Sequence, residues 1–360
     1  MFKELEVFEG ITKERLIEIL DNIKNIKVGF IGDLCIDIYW IADMKKSELS
    51  RETPHFPLPV VEEHFQLGAG GNVIANLAAL NPGDITAVGI IGDDWRGDLV
   101  SKCIKKLGIA MENVTVLNGK TTNAYCKPIR KGISQTTYED PRIDFTSEPV
   151  TDEAELLIIE KLIKMAKDVD IICVSDQFAN GCVTEKIRDV IIQLASTGII
   201  IVVDSRDCIT KYRNVILKPN EIESARAAAL LSKCSGQHFI EQDIEGYIEC
   251  ANIIKEALGC DISMTLGSNG NIQFYKNKAV HILSHDIEGA LDICGAGDTF
   301  LSAFTCALAA GASHEEAGQI ASIASEVTIG KVGQTGVATP MEIISRFDKA
   351  YLCNLNDKTK

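Results

Sequence analysis

Short apolar runs alternate with amphipathic segments along most of the chain, and this alternation predicts a layered α/β protein. The apolar runs are continuous, as in strands that are buried on both faces of a sheet. Between them, apolar residues recur every three to four positions, which is typical of helices that cover a sheet. Predicted strands lie at residues 28–31, 85–91, 171–174, 199–203, 214–217 and 262–266. Predicted helices lie at about residues 12–24, 95–107, 154–166, 185–195, 221–231, 244–258, 295–310 and 315–328.

Two segments interrupt this alternation. Residues 34–67 contain three prolines and no helical spacing, and residues 121–145 alternate polar and apolar positions. Both are predicted to form a small extra sheet, so we expect a doubly wound, mostly parallel sheet with helices on both faces and a small β-sheet lid. Expected domain boundaries are a helical extension, a main domain that includes both lid segments, and a tail, at residues 1–26, 27–350 and 351–360.

Charge and cysteine content narrow the functional classes. The chain of 360 residues has a formal charge of −15, which argues against nucleic acid and against an anionic membrane surface as partners. Its twelve cysteines include no Cys-x-x-Cys pair, so buried reduced thiols are expected rather than disulfides or a zinc site. Without an apolar leader or membrane-length segment, a cytoplasmic location is expected.

The strongest chemical signal is the heptapeptide Asp-Ile-Cys-Gly-Ala-Gly-Asp at residues 292–298, which precedes a predicted helix. Small residues expose backbone N–H groups there, and the positive end of the helix favours an anion. A carboxylate at Asp298, beside such donors, suits the base of a phosphoryl transfer. A glycine-rich turn with an Asp N-cap explains the same residues, so this motif alone leaves both interpretations open.

Three further motifs each allow a structural and a functional interpretation. Asp33 and Asp37 flank the end of the first buried strand, where open α/β sheets bind ligands. The glycine-rich run 68–72 ends in Asn72, which can bind hydroxyl groups or cap a helix. Lys218-Pro-Asn-x-x-Glu223 places Asn220 as either an N-cap or a ligand near a hydrated magnesium ion.

Two apparent nucleotide motifs fail on inspection. Residues 118–121 read Asn-Gly-Lys-Thr, but the glycine that a P-loop needs five residues earlier is Val114. A dinucleotide fingerprint after Gly68 would need a third glycine where the chain has Val73.

In their order along the chain, these motifs resemble those of the PfkB (ribokinase-like) carbohydrate kinases, over about residues 27–346. The resemblance implies an ATP-dependent kinase with Asp298 as catalytic base and an anion hole formed by Gly295, Ala296 and Gly297. It implies that the sugar is bound by Asp33, Asp37, Gly70, Gly71, Asn72, Asp176 and Arg142. It implies that ATP is bordered by Asn220, Glu223, Thr265, Gly267, Gly270 and Ser322.

The same resemblance implies two kinds of cation and an assembly. Asn220 and Glu223 would hold Mg²⁺ through water. A potassium or sodium ion would bind near Asp292, Cys294 and Gly333. The lid would mediate a homodimer.

Within the family, the chain is most similar to the heptose-7-phosphate kinase branch, through residues 32–40, 49–61, 142–145, 175–176 and 330–333. That branch phosphorylates the anomeric hydroxyl of a phosphorylated heptose. The nucleotidyltransferase domain of its bifunctional members is expected to be absent here. The usual Gly-Gly pair is Gly68-Ala69, and the usual adenine-side asparagine is Ser322.

One departure opens the question of the substrate. The branch has lysine where this chain has Asn180, so a cation that meets a sugar phosphate is missing. Arg130, Lys131 or Arg142 in the lid would have to compensate. The alternatives are a kinase for an unphosphorylated sugar, polyol or nucleoside, or an idle sugar- or nucleotide-binding protein on the same fold.

Overall fold

A twisted sheet with helices on both faces forms the body of the protein in the computed structural model, which describes residues 2, 4–132, 136–232, 243–333 and 335–357. Its strands are β1 Leu5–Val7, β2 Lys27–Gly32, β3 Leu34–Asp43, β4 Val60–Ala69, β5 Asp84–Gly92, β6 Val114–Leu117, β7 Asn123–Lys131, β8 Thr137–Glu139, β9 Ile143–Phe145, β10 Ile171–Asp176, β11 Ile200–Ser205, β12 Ile216–Leu217, β13 Asp261–Thr265, β14 Asn271–Tyr275 and β15 Lys278–Ile282. Its α-helices are α1 Lys13–Asn22, α2 Gly70–Ala79, α3 Trp95–Lys106, α4 Asp152–Met165, α5 Glu185–Ala195, α6 Glu221–Leu231, α7 Ile244–Leu258, α8 Ala296–Ala309, α9 His314–Ile329 and α10 Pro340–Asp357.

Among the described residues, the main sheet has the strand order β1-β15-β14-β13-β12-β11-β10-β2-β5-β6. Pairing is parallel from β13 through β12, β11, β10 and β2 to β5 and β6, whereas β14 is antiparallel to both β13 and β15. The carboxyl ends of the parallel strands therefore meet at one edge of the sheet, where open α/β folds bind ligands.

Alternate residues of the central strands enter two cores, one on each face of the sheet. In β10, Ile171 and Cys173 pack with α1, α2, α8 and α9, while Ile172 and Val174 pack with α4, α5, α6 and α7. This period of two explains why the strands are continuously apolar: both faces are covered by helices. The prediction of a doubly wound, mostly parallel sheet is confirmed.

The lid is a second sheet in the order β4-β3-β7-β8, with β9 also paired to β7. It begins one residue after β2 ends, so the lid and the main sheet share a short connection at Asp33. Val60, Val61 and Phe65 of β4 are exposed. The homodimer through this sheet stays a prediction.

Several elements were absent from the sequence-based prediction. β1 is a short edge strand that pairs with β15. In β14, the polar residues Asn271 and Gln273 give the sequence the pattern of an exposed strand, yet both are buried.

The expected boundary at residues 350/351 falls inside α10. Among the described helices, none is long and apolar enough to cross a bilayer.

Ala69, which ends β4 and caps α2, has φ +46° and ψ −129°. An L-residue with a side chain pays roughly 1–3 kcal/mol in such a conformation, which glycine adopts freely. After allowance for the greater entropy of unfolded glycine, we expect Ala69→Gly to raise the free energy of unfolding by about 1 kcal/mol. The measurement is denaturant unfolding.

The matched control is Ala75→Gly in the interior of α2, which is expected to lower the free energy of unfolding by about 1 kcal/mol. Equal losses in both variants would refute strain at Ala69.

Candidate active site

The N-termini of α2 and α8 lie side by side at the carboxyl edge of the sheet and are joined by side-chain hydrogen bonds. The Asn72 side chain donates from Nδ2 to Asp298 Oδ2 at 2.8 Å. Asn76 donates to the Asn72 carbonyl at 2.9 Å and accepts from Thr299 Oγ1 at 2.9 Å. Ser302 Oγ donates to the Val73 carbonyl at 3.0 Å. The carboxylate of Asp298 is therefore held in position by the neighbouring helix.

Gly295 is required by this junction. It has φ +80°, and a Cβ there would lie 2.7 Å from Asn72 Nδ2. A larger residue would be strained and would push Asn72 away from Asp298.

The first turn of α8 offers donors to an anion. The Ala296 N–H donates to the Ile293 carbonyl at 3.2 Å, and the Thr299 N–H to the Gly295 carbonyl at 3.0 Å. Within the described residues, the N–H groups of Gly297 and Asp298 have no hydrogen-bond acceptor. They are the unpaired donors that make a helix N-terminus an anion site.

Burial is the main reason why the pKa of Asp298 is raised to about 7. The hydrogen bond from Asn72 and the charge of Lys218 oppose this rise, whereas the carboxylates of Asp204 and Asp37 add to it. A carboxylate with such a pKa is a stronger base than an exposed aspartate and is half ionised near neutral pH.

Lys218 is a site residue to which the sequence analysis gave no role. Its ammonium is buried, lies 3.2 Å from Asp204 Oδ2, and would lie 3.6 Å from a Cβ placed on Gly297. Burial lowers the pKa of Lys218, but the negative charges of Asp204, Glu223 and Asp298 outweigh it, so the pKa is raised. The only sequence signal was its position after a strand, at the start of Lys-Pro-Asn.

Asn220 and Glu223 form a capping box at the start of α6. Asn220 Oδ1 accepts from the Glu223 N–H at 2.8 Å, and Glu223 Oε2 accepts from the Asn220 N–H at 2.9 Å. Asn220 also pairs with Thr265 at the end of β13. The N-cap interpretation is correct, while the amide group of Asn220 and Oε1 of Glu223 remain for a ligand.

The glycines of the 265–270 turn differ in their roles. Gly270 has φ +82°, and a Cβ there would lie 2.0 Å from the Ile282 carbonyl oxygen, so this glycine allows close packing. Gly267 has φ +57° and faces open space, where a nucleotide can approach the backbone. Ser322 is buried and accepts from Asn271 Nδ2 at 2.8 Å.

Two carboxylates that were expected to bind sugar, Asp33 and Asp176, accept hydrogen bonds from other residues of the chain. Asp33 accepts the N–H groups of Gln177, Phe178 and Cys182. Burial, and then the charge of Asp176, raise the pKa of Asp33 to about 7 against these donors.

Asp176 Oδ2 accepts from Ser205, Tyr212 and Arg188, at 2.9, 2.8 and 3.3 Å. Gly70 donates its N–H to the Asp33 carbonyl at 2.8 Å, and a Cβ on Gly71 would lie 3.1 Å from Leu67. These glycines therefore bring α2 close to the first strand and to the lid.

Asp37 has one buried carboxylate oxygen without a partner among the described residues. Its Oδ2 lies 2.9 Å from Lys127 Nζ, which also donates to Tyr39 Oη at 2.9 Å. Asp37 Oδ1 is buried without a hydrogen-bond partner in the described structure, and a Cβ on Gly68 would lie 2.4 Å from it. A buried oxygen of this kind calls for a donor such as a ligand hydroxyl.

The lid supplies aromatic and cationic groups to the same side. The Arg142 guanidinium lies 3.9 Å from the centre of the Tyr125 ring and binds both oxygens of Asp144, at 2.6 and 2.8 Å. The Tyr125 and Phe178 rings meet edge-on at 6.1 Å.

Asn180 donates to the Ser147 carbonyl at 3.2 Å. Of the lid cations expected to replace the missing lysine, Arg130 lies 2.6 Å from Asp140, and Lys131 lies 3.9 Å from Glu62.

The residues expected around a monovalent cation form one junction. Asp292 accepts the N–H of Cys294 at 3.0 Å and that of Gly333 at 3.1 Å, and Cys294 is exposed. Lys331 Nζ donates to the Val337 carbonyl and to Glu342, each at 2.6 Å.

A ribokinase-like sheet and lid, with a carboxylate at a helix N-terminus between them, define a class: phosphotransferases that act on an alcohol group. Residues 27–340 match the family described as "pfkB family carbohydrate kinase". The chain therefore belongs to the pfkB family of carbohydrate kinases, and the prediction of a kinase is confirmed.

The curated relatives include proteins named "Bifunctional protein HldE". That of Helicobacter hepaticus is 28% identical over 325 residues, which cover 89% of this chain and 64% of the relative. That of Trichlorobacter lovleyi is 29% identical over 326 residues, which cover 89% and 62%. The chain thus spans less than two thirds of the length of these two relatives.

Solved structures show the same fold. Ribokinase from Arabidopsis thaliana, complexed with ribose and ATP, has a TM-score of 0.64 at 17% identity and covers 89% of this chain and 98% of its own. Phosphofructokinase-2 from Escherichia coli, in complex with fructose-6-phosphate, has a TM-score of 0.69 at 15% identity and covers 91% and 99%.

The raised pKa of Asp298 has a consequence for stability. A carboxyl whose folded pKa exceeds its unfolded value stabilises the fold below the unfolded pKa, near 4, and loses this contribution as the pH rises through about 7. Asp298→Asn removes the charge while keeping an oxygen for Asn72. We expect its melting temperature to exceed that of the wild type, by more at pH 8 than at pH 5.5.

Thermal unfolding of both proteins across this pH range is the measurement. Glu14→Gln, an exposed acidic residue of α1, is the matched control and is expected to show no such divergence. A constant difference between wild type and Asp298→Asn would contradict the raised pKa.

Proposed function

We propose that the protein is an ATP-dependent sugar kinase in which Asp298 is the catalytic base. The observation that carries the proposal is the Asp298 carboxylate, held by Asn72 at 2.8 Å beside two unpaired N–H groups of α8. A base and an anion site thus lie together, which is what transfer of a phosphoryl group to a hydroxyl requires.

In the proposed reaction, Asp298 accepts the proton of the sugar hydroxyl. The hydroxyl oxygen attacks the γ-phosphorus of ATP, and ADP leaves. The N–H groups of Gly297 and Asp298 and the ammonium of Lys218 stabilise the charge on the transferred group. Asp37 Oδ1 accepts a hydrogen bond from another sugar hydroxyl. The lid limits the access of water and so limits hydrolysis of ATP.

The donor groups fit the expected magnesium ion. Mg²⁺ keeps several waters and needs few protein ligands. Glu223 offers a free carboxylate oxygen beside Lys218, and Asn220 Oδ1, which accepts one hydrogen bond, keeps a second lone pair. When bound, the ion neutralises phosphate charge. A potassium or sodium ion near Asp292, Cys294 and Gly333 is also proposed, supported by the junction of these two loops.

The proposed acceptor is a heptose 7-phosphate, phosphorylated at its anomeric hydroxyl. Its support is the similarity to relatives named HldE. The competing acceptor is an unphosphorylated sugar, polyol or nucleoside. Its support is Asn180, whose neutral side chain donates to the Ser147 carbonyl. Assays of ADP release with sugars, each with and without a phosphate, distinguish the two.

We also propose that residues 27–350 form the kinase domain and that residues 1–26 extend it. The support is the parallel pairing of β1 with β15 at the edge of the sheet, together with Phe2, which packs against Phe274 at 5.1 Å.

Asp298→Asn is expected to lower kcat by about 10²–10⁴-fold, because the amide cannot accept the proton. In the wild type, kcat/KM is expected to rise with pH through about 7, as Asp298 ionises. Steady-state kinetics with the best sugar of the panel measure both. An Asp298→Asn enzyme with near-normal kcat would rule out the base.

Lys218→Met is expected to lower kcat by about 10²–10³-fold, as for the loss of one donor to a developing charge. Lys255→Met is the control, since Lys255 pairs with Asp261, a β13 residue, and not with the α8 N-terminus. A change confined to the KM for ATP would show that Lys218 binds the ground state and the transition state equally and does not stabilise the transition state selectively.

A further inference from the structure

Arg206 stands out among the cations near the site, because its guanidinium group is unengaged. It is exposed, and within the described ranges its side chain has no hydrogen bond and no ion pair. Four other cations near the site have a carboxylate partner: Lys127 with Asp37, Arg142 with Asp144, Arg188 with Asp176, and Lys218 with Asp204. Lys120 donates to the Glu148 carbonyl. In a chain of charge −15, a free guanidinium at this place is open to an anionic ligand.

The backbone fixes where Arg206 starts. It follows β11 directly, and its N–H donates to the Asp176 carbonyl at the end of β10, at 3.1 Å. Phe178 lies in the loop that follows β10. Its N–H donates to Asp33, and its ring contacts the ring of Tyr125 in the lid. Arg206 therefore lies at the carboxyl edge of the sheet, beside the loop that contacts the lid.

The charges of two arginines, Arg142 and Arg206, affect the pKa of Tyr125. Burial raises the pKa of Tyr125, and the positive charges of Arg142 and Arg206 both oppose that rise. Arg206 likewise opposes the raised pKa of Glu223, which burial causes. The Arg142 guanidinium lies over the Tyr125 ring on the lid side, and the Arg206 backbone lies on the sheet side, bonded to Asp176 two residues before Phe178, whose ring meets that of Tyr125.

We infer that Arg206 is the specificity residue that binds an anionic group of the sugar substrate, a phosphate ester, with Arg142 opposite. A guanidinium offers a planar pair of N–H donors that matches phosphate oxygens. Arg206 thereby provides the charge that Asn180 lacks. The inference rests on the proposed kinase function and selects a phosphorylated acceptor over a neutral one.

The test compares matched acceptors: a heptose and its 7-phosphate, and mannose and mannose 6-phosphate. For the wild type, the phosphorylated member of at least one pair is expected to have the lower KM. Arg206→Met is expected to raise the KM for that sugar phosphate by about 10–100-fold, as for the loss of a charged hydrogen bond. The kcat and the KM for the neutral sugar are expected to change little, and Arg206→Lys is expected to recover part of the loss.

Arg226→Met is the control, because Arg226 is exposed on α6, pairs with Asp207 at 3.6 Å and carries the same charge. Its KM values are expected to match those of the wild type. A uronic acid in a further arm distinguishes a phosphate from a carboxylate as the preferred anion.

Three outcomes would overturn the inference while leaving a kinase in place. These are a wild type that prefers neutral sugars, an Arg206→Met variant with unchanged KM for the sugar phosphate, and a loss confined to the KM for ATP, which would assign Arg206 to the nucleotide. If the wild type phosphorylates no sugar of the panel, the proposed function itself fails. A thermal shift of the wild type by sugar phosphate without ATP, lost in Arg206→Met, measures the same contact without turnover.

Discussion

The hydrogen bond between Asn72 and Asp298 is the constraint on which the active site depends. It joins the first turns of α2 and α8, which come from distant parts of the chain, and it fixes one oxygen of the carboxylate at 2.8 Å. Bonds from Ser302 and Thr299 repeat the connection one turn deeper. With one oxygen held by Asn72, the other is the one that we propose accepts the proton of a substrate hydroxyl. Preorganisation of this kind lets the site act without rearrangement during the reaction.

Two of the acidic residues in this region, Asp33 and Asp176, accept hydrogen bonds from other parts of the chain. Asp33 binds three N–H groups of the 177–182 loop, and Asp176 joins β10, β11 and α5. These buried carboxylates hold the loops at the carboxyl edge of the sheet, whereas Asp37 retains an unpaired oxygen. The division is physical: a carboxylate surrounded by donors from its own chain is satisfied, and an unsatisfied one awaits a ligand.

The fold was predictable from the sequence because continuous apolar strands and amphipathic helices have distinct periods. The place of Asp298 at a helix N-terminus was predictable, because Gly295 and Gly297 precede it in a recognisable motif; its role as a base stays a proposal. Lys218 was not predictable, since a lysine that is buried by tertiary contacts looks like any surface lysine in sequence. β14 was missed for a similar reason: Asn271 and Gln273 are buried in hydrogen-bond networks that no local pattern shows. The role of Asp33 also depends on a loop about 145 residues away in the chain.

The central claim is that the acceptor hydroxyl and the γ-phosphate meet at Asp298. A crystal structure with the best acceptor and a non-hydrolysable ATP analogue tests it most directly. The account predicts the acceptor oxygen within about 2.6–3.2 Å of an Asp298 oxygen, and the γ-phosphate at the α8 N-terminus beside Lys218. A ternary complex with the γ-phosphate bound elsewhere, or with Asp298 still facing away from the acceptor, would contradict it.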